Sequence, residues 1–93
     1  MDIAYAQNCV GVCFAQGYYV ERNLQEAVRW YMKAAKNGSG MGMYNLAWYY
    51  LKGEGGLITD LQKAYELYQE AAKLGIEGAQ EKANDVKERM HTP

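Results

Sequence analysis

Side chains that do chemistry at a metal or a thiol are scarce in this chain. Its only histidine is His91, and its only cysteines are Cys9 and Cys13. On a helix, thiols four residues apart have Cβ atoms roughly 5–6 Å apart, against about 3.8 Å in a disulfide, so a bridge would be strained. As zinc ligands the pair lacks companions. The expectation is two reduced, partly buried thiols in a reducing compartment. Charge of one sign is missing as well. Ten basic and eleven acidic residues are interspersed, for a net charge of −1, and no cluster provides the basic footprint of a nucleic-acid binder. Nor does any apolar run approach the roughly 18 residues of a membrane span, and no basic start leads into a hydrophobic stretch. A cytoplasmic location, without nucleic acid or membrane as partner, is the expectation.

Catalytic pairings are absent too. Gly53-Glu54-Gly55-Gly56 could be mistaken for a phosphate loop, but no strand precedes it and no Lys-Ser or Lys-Thr follows. It reads as an inter-helix turn in which glycines take positive φ. Glu66 and Glu70 fall on the solvent side of a helix, and His91 stands beside Thr92 and Pro93 in a tail expected to fray. No enzymatic activity, cofactor or metal is expected.

What the chain does contain is a repeat. Leu24, Ala27, Tyr31, Ala34 and Ala35 recur 37 residues later as Leu61, Ala64, Tyr68, Ala71 and Ala72. Within each copy these positions form one stripe of an α-helix. Gly38 and Gly75 follow the last apolar position, where a left-handed C′ residue belongs. Asn23, with Glu26 three residues on, suggests a capping box, and Asp60 can N-cap the second copy. The preceding halves match at an offset of 36: Val10-Gly11 with Leu46-Ala47, Phe14 with Tyr50, Gly17 with Gly53. Each unit is thus helix, glycine-bearing loop, helix, with spans near 3–16, 24–37, 41–52 and 61–74.

A further first-type helix is expected near 78–90, since Ala79 and Ala83 align with Gly42 and Leu46. It is more polar, and Lys87 stands where Phe14 and Tyr50 stood, as suits a capping element. The predicted fold is all-α: a solenoid of two helix-turn-helix repeats (about 3–38 and 39–75) plus a capping helix over 76–90, in one domain. A chain this short buries only roughly 60–65% of its unfolded surface. Repeat arrays generally need about three units, so modest stability is expected of a small protein or of a segment from a longer array.

The unit Ala-x-x-x-Leu-Gly-x-x-Tyr-x-x-Gly, then a loop ending in Asp, then x-x-Lys-Ala-x-x-Trp-Tyr-x-Lys-Ala-Ala-x-x-Gly, resembles the Sel-one-like repeat, a relative of the tetratricopeptide repeat. The second helices, over 26–35 and 63–72, carry the match best. Val10-Gly11 and Leu46-Ala47 each keep half of the Leu-Gly pair, and Leu67 replaces the expected Trp. The resemblance implies a right-handed superhelix of antiparallel helix pairs, used as an adaptor between proteins. A cysteine-rich secreted branch has been credited with penicillin binding or β-lactamase activity, and this chain lacks its paired-cysteine pattern.

Nine tyrosines and two tryptophans remain to be explained. Tyr31, Tyr68, Phe14, Tyr50 and Trp30 hold packing positions of the unit. Trp48 lies off that stripe, and its first-unit counterpart is Val12. By analogy with tetratricopeptide repeats, first helices line the concave face, at Tyr44, Trp48 and Leu51, at Gln7, Val12 and Ala15, and at Glu81, Asp85 and Glu88. An aromatic stripe beside an acidic helix suggests a hot spot for a peptide or helix with apolar and basic groups; alternatively these side chains merely pack between first helices. The expected function is therefore non-catalytic binding of a protein or peptide by a monomeric chain. The alternatives are self-association or stacking in an array, and, against the missing cysteines, the penicillin-directed enzyme.

Overall fold

The computed structural model describes residues 2–91. Five helices follow one another: α1 (Ile3–Gln16), α2 (Leu24–Lys36), α3 (Gly40–Lys52), α4 (Leu61–Lys73) and α5 (Ala79–His91). No strand occurs among the described residues; the boundaries of α1 to α4 lie within a residue of their expected places, and α5 begins at Ala79, inside the capping segment expected over 76–90. His91 closes α5, while Thr92 and Pro93 lie outside the described residues.

Local chemistry sets these boundaries. The Asn23 and Asp60 side chains accept hydrogen bonds from the backbone N–H of Glu26 and Lys63, as N-caps should. The reciprocal half of the expected capping box does not form. The Asn23 N–H donates instead to the Phe14 carbonyl, and Glu26 pairs with Arg29 at 3.1 Å. The Asp60 N–H likewise donates to the Tyr50 carbonyl, so in both units the cap is stitched back onto the end of the preceding helix. At the other ends, Gly38 and Gly75 take φ of 96° and 85°. Their N–H groups bond to Ala35 and Ala72, and the next residues, Ser39 and Ile76, bond to Ala34 and Ala71. These paired bonds form the Schellman arrangement, which satisfies carbonyls that a helix end leaves open.

Packing follows the chain. Each helix contacts its sequence neighbours, and α1 also touches α3. The result is elongated, 41 × 26 × 18 Å. One core cluster joins Ala15, Ala27, Val28, Tyr31, Leu46 and Tyr49; a second joins Ala47, Ala64, Tyr68, Ala83 and Val86. Tyr50 and Leu67 pack against both, so the core runs unbroken through α3. α3, which touches α1, α2 and α4, has little need of a polar face and is apolar nearly all round; α1 is as apolar although it touches only α2 and α3, and α2 and α4 are amphipathic.

Small residues set the spacing. Gly11 lets the Tyr31 ring lie on the α1 backbone: a Cβ there would come within 2.7 Å of the ring. Its second-unit counterpart is the fully buried Ala47. Tyr31 and Tyr68 are buried and Phe14 and Tyr50 half-buried, as expected of packing positions. Trp30 departs from that expectation. It is only half-buried, outside both clusters, with the Lys33 ammonium 4.4 Å from its ring centroid. Cys9 and Cys13 are free thiols, each partly buried.

Candidate partner-binding site

Trp48 projects from the middle of α3 with 37% of its surface exposed. Its ring stands edge-on to Tyr49, centroids 5.0 Å apart. Tyr49 is buried and packs on Tyr31 at 5.8 Å, so the indole has a rigid support reaching into the first core cluster. Burial raises the Tyr49 pKa; nearby Arg22 pulls against that rise and Glu54 adds to it.

Trp48 is the shared wall of two clefts. The first, about 290 Å³, is bounded by Ala15 and Gln16 of α1, Arg22 and Leu24 beyond it, Asn45 and Tyr49 of α3, and Glu54. The Arg22 guanidinium donates from Nε to the Ala15 carbonyl at 3.1 Å, which ties the loop to the end of α1. The second cleft, about 170 Å³, lies between α3 and α5 and is lined by Leu51, Lys52, Lys82, Asp85, Val86 and Arg89. One exposed tryptophan therefore sits where the faces of α1, α3 and α5 meet.

Of the residues expected to form a binding face, Trp48, Leu51 and Asp85 come together, with Ala15 across the first cleft. The others do different work. Tyr44 packs edge-on against buried Tyr68 at 5.4 Å, and Val12 packs against the first core cluster. The Gln7 side chain accepts a hydrogen bond from Asn37 at 2.9 Å, at the end of α2. Asn8, one residue on and 36 before Tyr44, is buried and accepts from Asn45 at 3.0 Å. One residue is about 100° of helix rotation, so position 7 faces a different neighbour from position 8.

The electrostatics differ most from expectation. An acidic wall was anticipated from α5, but only Asp85 reaches the second cleft, beside Lys52, Lys82 and Arg89. The three cations were missed because one belongs to α3 and two to faces of α5 that only the crossing of the helices selects. Sequence reasoning also missed Arg22 and Glu54, which the loops fold back to Trp48. Among the described residues, no group of three His, Cys, Asp or Glu could hold a metal, and no helix is long and apolar enough to cross a membrane.

Residues 4–39 and 40–76 each match the Sel1 repeat. The chain belongs to the Sel1 repeat family. A Sel1 repeat protein from Oxalobacter formigenes superposes with a TM-score of 0.85 at 32% identity, covering 91% of this chain and 35% of that one. Cysteine rich protein B of Helicobacter pylori gives 0.76 at 25% identity, over 82% of this chain and 56% of that one. A protective antigen of uropathogenic Escherichia coli gives 0.86 at 28%, over 98% and 20%. In sequence, the rat protein DAP3-binding cell death enhancer 1 is 35% identical over 77 residues, 83% of this chain and 14% of that protein. The chain thus spans only a minor part of the curated relative it matches. Sel1 repeats are in general interaction modules that mediate contacts between proteins, and this chain is two such repeats followed by one more helix.

Proposed function

We propose that this Sel1 repeat chain is a non-catalytic adaptor that seats a segment of a partner protein on the common face of α1, α3 and α5, with Trp48 as the central anchor. The observation carrying this reading is the placement of Trp48: a large, part-exposed aromatic, braced by a buried tyrosine, between two clefts. Binding energy concentrates in such anchors, where a rigid aromatic gains contact area at little cost in entropy. The name of the rat relative, which declares DAP3 binding, supports an interaction role in general terms. The test compares capture of partners by the wild type, by Trp48→Ala and by Trp30→Ala, each verified as helical by circular dichroism. A specific protein retained by wild type and Trp30→Ala but lost by Trp48→Ala supports the assignment. Equal retention by all three moves the site elsewhere.

A second reading, stacking on another repeat or on a second copy, is favoured by Ile3 and Tyr5, which lie 65% exposed on α1. Light scattering behind size-exclusion chromatography tests it: a constant monomer mass from micromolar to near-millimolar concentration removes self-association of this chain.

A further inference from the structure

We infer that the occupant of the α3/α5 cleft is an acidic protein segment, in which a large apolar side chain contacts Trp48 and flanking carboxylates meet Lys52, Lys82 and Arg89. This rests on the Trp48 face being the binding face and adds the chemistry of what binds. The floor is apolar, formed by Trp48, Leu51 and buried Val86. Around it stand three cations against one carboxylate, Asp85, in a chain whose net charge is −1. The local surplus therefore runs against the charge of the whole.

Asp85 is the one carboxylate that lines the cleft with the three cations. Ion pairs join Arg29 to Glu26 and Lys73 to Glu70, and Lys52, Lys82 and Arg89 take part in neither. All three are solvent-exposed, which leaves their charged ends accessible to a ligand. Arg89 can grip a carboxylate with two parallel hydrogen bonds, whereas the lysines act as point charges. A basic partner would face this surplus as repulsion, and like-charge juxtaposition is how interfaces reject wrong partners.

The size of the effect is bounded. Exposed ion pairs are each worth about 1.5- to 5-fold in affinity, so two net charges favour an acidic over a neutral segment by about 2- to 25-fold at low salt, fading as salt rises.

The experiment titrates the protein, followed through its amide and indole N–H resonances, with three blocked hexapeptides. They share a central Leu-Phe and carry flanking Glu, Gln or Lys pairs; a single-stranded decathymidylate is a fourth probe. The Glu peptide should shift the Trp48 indole and the Leu51 and Lys82 amides, and bind about 2- to 25-fold tighter than the Gln peptide, with the Lys peptide weakest. The surface variant Lys52→Gln/Lys82→Gln/Arg89→Gln, which leaves Asp85 as the one charge lining the cleft, should remove the Glu peptide's advantage over the Gln peptide. If the Gln or Lys peptide shifts Trp48 and binds as tightly as the Glu peptide, the charge inference is overturned and the Trp48 face stands. Tighter binding of the oligonucleotide overturns the assignment to a protein segment. If no probe moves Trp48, the face itself is wrong and the inference falls with it.

Discussion

Gly42→Ala sets two effects against each other. In the first turn of α3, replacing glycine by alanine should raise helix propensity by up to about 1 kcal/mol. Gly42 is buried, however, and a Cβ there would lie 2.7 Å from the Ala34 Cβ, 3.2 Å from the Ala35 nitrogen and 3.3 Å from the Ala34 carbonyl carbon. Ordinary contacts are 3.4–4 Å, and none of these three atoms is the end of a flexible side chain. The strain must move α3 off α2 by several tenths of an ångström, and overpacking of this kind costs about 1–3 kcal/mol. Strain should win, leaving a net loss of about 1 kcal/mol. For a chain of this size that lowers Tm by about 4–8 °C, read by circular dichroism at 222 nm. The following junction carries Ala79, fully buried, in the same register. A Tm unchanged or raised in Gly42→Ala would show that α3 can slide to the spacing α5 adopts, and the reasoning would be refuted.

Removing the α2 cap with Asn23→Ala should cost about 1 kcal/mol, since its side chain holds the Glu26 N–H and nothing in alanine replaces it; a urea midpoint equal to wild type would mean the Asn23–Phe14 backbone bond alone holds the helix start. Alkaline pH should destabilise the fold. Burial raises the Tyr68 pKa to about 12, helped by Tyr44, and raises Tyr31 and Tyr49 as well. Unfolded tyrosines lose their protons near pH 10. Stability is therefore intact below about pH 10 and falls as pH climbs toward 12, because the folded state keeps protons the unfolded state gives up. Thermal midpoints that stay flat to pH 11 would contradict this.

Much of the fold was legible because its signals are local. A glycine after the last apolar position forces a left-handed stop within one turn, and Asn23 and Asp60 satisfy N–H groups three residues away. The capping box failed for a tertiary reason, since the α1 carbonyl of Phe14 outcompeted the Glu26 side chain for the Asn23 N–H. Trp30, in the family's tryptophan slot, was expected in the core and lies half-buried under Lys33, because burial depends on what crosses above a residue as well as on its stripe.

The sequence by itself determined the repeat, the five helices, the stripe of small and aromatic residues between them and the Sel1 kinship, since each follows from spacing along the chain. Tertiary structure alone decided who surrounds Trp48. The two halves of the unit repeat at different offsets, 36 and 37, and a one-residue difference turns a helix face by about 100°. At the offset of 36 that the first helices share, Tyr44 answers to Asn8, and Gln7, one residue off that register, bonds to Asn37 at the end of α2; only the packing of α5 beside α3 brings Lys52, Lys82 and Arg89 to a cleft expected to be acidic. Charge can be counted along a chain, but the sign of a surface is set by which helix faces meet.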